Sequence, residues 1–257
     1  MTTMLNRIYD IKKVNELVTS SLKIGVITNC TLTPNQWHEE IENKALFYYQ
    51  FDGGVFFFRL RDYGYKLNYY IYNFDNIPKI QLDKPSYVEI VLRPKDNTQI
   101  VNRFENLGFK QLFTRIRMKN TIYEQKNLQK PEYIEPKKAY DFLNSVFDKK
   151  TACLPTIDEL EQAEKQGLLL WRKNNENEIA ALLHVKQDRK KYEIRHLAVS
   201  ENEREKGLAL SLANEFISRF GHCQTLVWVR EDYFAPKHIY EKTGFKPDGF
   251  KAIVMSN

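Results

Sequence analysis

Hydrophobic and polar positions along this chain fall into a pattern that is played twice. The segment "TLTPNQWHEEIENKALFYYQFDGGVFFFRLRD" (31–62) matches "CLPTIDELEQAEKQGLLLWRKNNENEIAALLHVKQD" (153–188) element for element. In each, a Thr in cap position (Thr33, Thr156) opens a short acidic helix, and two apolar strands joined by a tight turn follow. The turns, "FDGGV" and "KNNENE", are rich in residues that tolerate positive φ. A third strand comes next in both halves, at 65–73 and at 191–199. Each half then closes on a short amphipathic helix, a Gly and a last apolar strand, "NRFENLGFKQLFTRIRM" (102–118) and "HIYEKTGFKPDGFKAIVM" (238–255). Self-similarity of this kind predicts two domains of one fold, with a charged, weakly helical junction around 119–136.

The halves diverge after the third strand. The second half continues with "SENEREKGLALSLANEFISRFGHCQ" (200–224), long enough for a turn and a four-turn helix, whereas the first has only "FDNIPKIQLDKPS" (74–86). Two prolines in so short a stretch leave no room for such a helix. A strand that runs through a turn into a helix is a ready anion site, because the first helical N–H groups lack partners and the helix dipole adds positive charge. Gly207 and Ala209 let an anion approach the backbone there, Arg204 and Lys206 add charge, and Leu208, Leu210, Leu212, Ala213 and Phe216 supply an apolar anchoring face.

Composition narrows the class. With 257 residues there is room for two ordinary domains, and 42% apolar with 28% charged residues is the balance of a soluble globular protein. No apolar run approaches the roughly 20 residues of a membrane span, and "MTTMLNRIYDIKKVNEL" lacks the apolar core of a signal peptide, so a cytoplasmic protein with no membrane partner is expected. Cys30, Cys153 and Cys223 are odd in number and widely spaced, which predicts buried free thiols rather than disulfides. No His, Cys and Asp cluster has metal-ligand spacing, so no metal is expected. The net charge of +6 lies wholly in the first half, where residues 1–130 hold 19 Lys and Arg against 13 Asp and Glu. These basic residues are scattered, not striped, which suits a solvated surface better than a nucleic-acid partner.

The turn Arg204-Glu205-Lys206-Gly207-Leu208-Ala209 resembles the Gln/Arg-x-x-Gly-x-Gly/Ala loop of the GCN5-related N-acetyltransferase (GNAT) family, which grips the pyrophosphate of acetyl-CoA. The preceding "HLAV" is similar to that family's bulged strand, and "IYEKTGF" (239–245) to its late helix. The resemblance covers about residues 130–257. It implies an α/β fold of two GNAT-like domains, each a mixed, mostly antiparallel sheet flanked by helices: a degenerate one at 1–125 without the pyrophosphate loop, and an acetyl-CoA-binding catalytic one at 126–257. It implies cofactor contacts from the backbone of Leu197, Ala198 and Val199 and from the loop Arg204, Glu205, Lys206, Gly207, Leu208 and Ala209. Two departures stand near the late helix, where Tyr233 replaces a frequent Asn and Pro236 a usual Ala. The first half keeps Asn97 at the corresponding place but has Phe104 where the tyrosine belongs.

Acetyl transfer to an amine needs a neutral amine, a stabilised oxyanion and a proton for the departing thiolate. By resemblance, Glu193 is the general base, Tyr240 the general acid, and backbone N–H near Val199 meets the oxyanion. On residue type alone, Glu193 is equally a strand glutamate paired with Arg195, and Tyr240 a packing tyrosine. His196 and His238 read as partly buried structural residues, His196 facing away from Glu193 if the strand is regular. The expected activity is transfer of an acetyl group from acetyl-CoA to a primary amine on a small molecule or peptide, by a monomer or homodimer. Its rivals are a non-catalytic acyl-CoA sensor or interaction module and, on the tandem layout alone, an enzyme drawing aminoacyl groups from tRNA.

Overall fold

The computed structural model describes residues 3–96, 98–120, 130–188, 191–220 and 223–257. The chain divides into two compact units, one of residues 1–114 with 251–257, the other of residues 115–250. The boundary expected near 125 falls outside the described residues, as do residues 121–129 of the 119–136 junction. The division seen is a different one: the last residues of the chain belong to the first unit, and part of the first half's closing strand belongs to the second.

In the first unit, β1 (Asn6–Arg7), α1 (Ile11–Ile24), β2 (Ile27–Thr28) and α2 (Pro34–Glu42) lead into β3 (Leu46–Phe51), β4 (Gly54–Arg61), β5 (Gly64–Ile71), β6 (Ser86–Leu92) and α3 (Gln99–Asn106). Thr33 opens α2 as the sequence predicts: its hydroxyl accepts from Gln36 N–H while the Gln36 side chain accepts from Thr33 N–H. The β3–β4 turn needs glycine, because a Cβ on Gly54 would lie 2.2 Å from the Tyr70 carbonyl oxygen. Strands run in the order β1-β3-β4-β5-β6, all antiparallel except β5 with β6. Alternation on β4 explains why Val55 to Phe58 are apolar without a break. Phe56 and Phe58 join Phe104 of α3 in one core, while Val55 and Phe57 meet Trp37 of α2 and Val14 and Leu17 of α1 in another.

The second unit starts within β7 (Lys110–Asn120) and continues through α4 (Pro136–Val146), α5 (Ile157–Lys165), β8 (Leu169–Lys173), β9 (Ile179–Asp188), β10 (Lys191–Val199), α6 (Leu208–Phe220), β11 (Gln224–Arg230), α7 (Phe234–Lys242) and β12 (Lys246–Ser256). Thr156 forms the same reciprocal cap with Glu159 that Thr33 forms with Gln36. The strand order is β8-β9-β10-β11 with β10 and β11 parallel, the arrangement of β3 to β6 repeated. Every residue from Ala180 to Val185 on β9 is buried. That requires cover on both faces, and α4 with α5 supply one layer, α6 with α7 the other.

The closing strands are exchanged. Beside β11 lies the Arg115–Asn120 part of β7, antiparallel, not the strand that follows α7. Lys251–Ser256 of β12 instead pair with β6 of the first unit, where Ile253 and Met255 enter the core and Asn257 bonds Ser86 through backbone and side chain. No helix among the described residues is long and apolar enough to cross a membrane.

Met255 is fully buried in the first unit's core. Met255→Ala should therefore destabilise that unit by about 2–5 kcal/mol. Amide exchange should quicken on β5 and β6 while β8 to β10 stay protected; the reverse pattern would contradict the exchange of strands.

Candidate active site

The site grows from a divergence of two strands. β10 pairs with β11 only from Lys191↔Gln224 to Ile194↔Val227. Arg195 is then an extra residue opposite β9, a bulge between Ile194 and His196, and from His196 to Val199 the strand keeps β9 alone as partner. Ser200 N–H donates to the Ala180 carbonyl, which by antiparallel alternation turns the peptide groups of His196 and Ala198 toward β9. Those of Leu197 and Val199 consequently face the side that β11 has left.

This open edge runs into the turn singled out by the sequence. A single 3₁₀ turn (Glu201–Glu203) is followed by Glu205 at φ 65° and Gly207 at φ 77°. The first helical bond of α6 goes from Ser211 N–H to the Gly207 carbonyl. The amides of Leu208, Ala209 and Leu210 precede it and find no acceptor among the described residues. A Cβ on Gly207 would meet nothing within 4 Å, so the backbone's sign demands glycine and the space before it is open. Arg204 is exposed, and Lys206 pairs with Glu203 at 3.0 Å. Leu212, Ala213 and Phe216 anchor the helix in the core with Leu208 packed against them. On its outer side Glu215 takes bonds from Arg172 of β8 and from Arg219; burial alone would raise its carboxyl, but the two guanidiniums outweigh it and hold it below the usual range. The helix start is thus fixed from both sides.

Glu193 lies on β10 before the bulge and bonds Arg195 at 2.9 Å, both side chains partly exposed. Tyr240 lies on α7 with its ring against Phe245 at 5.4 Å; it is 4% exposed, and burial alone pushes the phenol well above its ordinary value. Tyr233 caps α7 half-exposed beneath the Arg230 guanidinium, 4.0 Å from its ring. His238 is on the same helix, and no cluster of three or more metal-binding side chains exists among the described residues. Cys30, Cys153 and Cys223 form no disulfide among the described residues and are only partly buried, not fully buried as expected.

The sequence did not disclose the partner of His196. Tyr192 touches Phe220 of α6, whereas His196, of the same parity, meets Phe147 at the end of α4. The bulge has switched faces, and His196 now shares Glu193's face rather than opposing it. Across the ladder stands His184, its ring parallel to that of His196 within 3° and the two Nδ1 atoms 3.3 Å apart. Both pKa values are lowered to about 3, chiefly by burial, with Arg195 beside both rings, Lys186 beside His184 and Arg115 beside His196.

Comparison with known proteins agrees with this geometry. A family model described as an acetyltransferase (GNAT) domain matches residues 136–253. Residues 136–253 are a GNAT acetyltransferase domain, and the chain is an acyltransferase. The fold is also that of a GCN5-related N-acetyltransferase from Sphaerobacter thermophilus, at TM-score 0.58 and 14% identity over 80% of this chain and 76% of that one. A GNAT-family acetyltransferase from Colwellia psychrerythraea matches 99% of each chain at TM-score 0.52 and 14% identity. A tandem GNAT protein of the clavulanic acid biosynthesis pathway matches at 0.50 and 9%, over 80% and 78%. No curated protein matches the sequence significantly.

The first unit carries the same divergence, filled. β5 pairs with β6 only from Tyr65↔Ser86 to Leu67↔Val88, as β10 does with β11 in the GNAT domain. Beyond that point β2 lies against β5, Thr28 opposite Tyr70 and Ile27 opposite Ile71. The Asn29 side chain accepts from Tyr69 N–H and donates to the carbonyls of Leu67 on β5 and Glu89 on β6. One amide thus stitches the two separating strands together. No helix stands between β5 and β6, and Phe104 is buried against Tyr69 and Phe109. A cavity of ≈ 10 Å³ beside Phe104 and Ser86 has room for about one water. Asn97 lies outside the described residues.

The buried histidines make stability depend on pH. An unfolded chain's imidazole charges near about 6.5, while these two stay neutral down to about 3. Unfolding takes up protons below the higher value, so stability is whole above pH 6.5 and falls as pH drops toward 3, by about 1.4 kcal/mol per pH unit for each ring. Denaturant unfolding at pH 7 and pH 5 should show this loss in the second unit. Equal stability at both would mean the imidazoles are charged or exposed.

Proposed function

We propose that the GNAT domain binds acetyl-CoA and transfers its acetyl group to a primary amine on a small molecule or peptide in the cytoplasm. The observation that carries this reading is the continuity of the open β10 edge with the unsatisfied amides of Leu208, Ala209 and Leu210. A ligand with a pyrophosphate at one end and an amide-bearing arm at the other fits both at once. Its phosphates would lie over Gly207 beside Arg204 and Lys206, and its arm would take the place of a strand against Leu197 and Val199. An amide N–H near Val199 is then the natural donor to the oxyanion.

In this scheme Glu193 removes a proton from the attacking amine, directly or through water, and Tyr240 gives one to the departing thiolate. Glu193 has to give up part of its bond to Arg195 to do so. Burial keeps the Tyr240 phenol protonated through the whole physiological range, so its proton is always available, although a raised pKa makes it a weaker acid. The first unit has no part in holding the donor, since β2 and Asn29 already occupy the matching edge.

Calorimetry should show one acetyl-CoA site per chain, abolished by Gly207→Glu, which sets bulk and negative charge where phosphate belongs; two equal sites would defeat the reading. Thiol release from acetyl-CoA with an amine and peptide panel separates an enzyme from a sensor that binds without turnover.

Glu193→Gln should lower the rate by roughly 10²–10⁴ near neutral pH and recover in part as pH rises and the amine deprotonates unaided. Tyr240→Phe should leave acetyl-CoA affinity almost unchanged while turnover falls at every pH. Because burial raises the phenol, the wild-type profile should show no alkaline limb below about pH 10 from this residue. Variants that track wild type would remove both residues from the chemistry.

A further inference from the structure

The transfer chemistry above uses neither ring of the His184–His196 pair, yet the pair sits where β10 opens. His196 is the first residue past the Arg195 bulge. Its ring bonds the Cys153 backbone in the sense that favours the N–H form, so it donates to the Cys153 carbonyl. With Nδ1 turned to His184, the donating atom is Nε2. The protons then follow in order: His196 carries hydrogen on Nε2, its Nδ1 accepts, and His184 donates from Nδ1. Both rings are neutral, as this chain of bonds requires.

The partner of this chain is the connection between α4 and α5. Phe147 meets the His196 ring edge-on at 5.3 Å, Cys153 offers its carbonyl, and Arg115 of β7 donates to the Thr151 carbonyl at 2.7 Å. Segment 147–155 is thereby tied to His196, just past the bulge of β10, and to Arg115, on the face of β10 that Glu193 also occupies. Two apolar side chains would fill the same space at a lower desolvation cost, but they offer no N–H to hold a turn carbonyl there.

We propose that the His184–His196 pair is a latch that positions segment 147–155 as a wall of the acceptor site and so sets the grip on the amine. Both are positioning residues, touching neither donor nor amine. The inference rests on the reading of β10 as the donor's edge.

The isosteres of the two ring nitrogens provide the test. His196→Leu removes the donor to Cys153; His196→Gln puts an amide N–H near the Nε2 place; His184→Asn keeps a donor near Nδ1. The measurements are acetyl-CoA affinity by calorimetry, acceptor-free acetyl-CoA hydrolysis, KM and kcat for the best amine of the panel, and amide exchange over residues 148–154. In His196→Leu, affinity and hydrolysis should stay within about twofold, the amine KM should rise tenfold or more with kcat moving less, and exchange should quicken. His196→Gln and His184→Asn should restore KM to within about threefold. Unchanged KM or unchanged exchange in His196→Leu overturns the latch, and so does equal damage from all three variants, which would mark mere packing. Failure of wild type to bind acetyl-CoA would instead sink the transfer reading, while the exchange data on 148–154 would still decide whether the pair holds the loop.

Discussion

Everything at the site depends on two peptide groups that have lost a strand. Backbone N–H and C=O groups are seldom left unpaired in a fold, and a parallel strand beside β10 would satisfy those of Leu197 and Val199 at once. The extra residue at Arg195 prevents that, because β10 bends away after Ile194 while β11 goes on toward α7. What remains is an unfilled position in a sheet, with hydrogen-bonding direction and spacing already set. Past the turn at 204–207, the start of α6 adds three more unmet amides, those of Leu208, Ala209 and Leu210. On the proposed function, the GNAT domain is thereby preorganised for an extended ligand with an anionic head, before any side-chain chemistry is considered.

The two units show opposite answers to that constraint. In one the edge is left open; in the other the chain fills it with Ile27, Thr28 and the side chain of Asn29. A single asparagine does this because its amide offers a donor and an acceptor together, the same pair of functions that a peptide unit carries. The first unit has no helix between β5 and β6, and the edge that such a helix flanks in the second unit is closed.

Local chemistry was the part legible in the sequence. Thr33 and Thr156 announce their helices through reciprocal caps, the glycines of "FDGGV" announce a hairpin, and Gly207 announces a left-handed turn at a helix start; each is decided by residues within a few positions. The internal repeat carried this further, to the succession of elements that the two halves share. Features fixed by distant partners were not readable. Nothing near Met255 in sequence says that it packs under β6, nothing near Asn29 says that it bridges Leu67 and Glu89, and His196 gives no sign of His184 because the one-residue bulge reverses the face that alternation assigns. Tyr240, which the sequence offers as a general acid or as a packing tyrosine, lies in the core, where its hydroxyl is harder to ionise.

The exchange of closing strands bears on how the chain is made. Residues 251–256, which complete the sheet beside β6, are synthesised after everything else described in both units. The second unit, by contrast, receives its outer strand from Arg115–Asn120, already waiting when β11 emerges. On the ribosome, then, the unit that is translated first is finished last. Until that moment β6 presents a bare edge and an unfilled apolar face, so this protein's exposure to mispairing is set by the time taken to translate its whole second half.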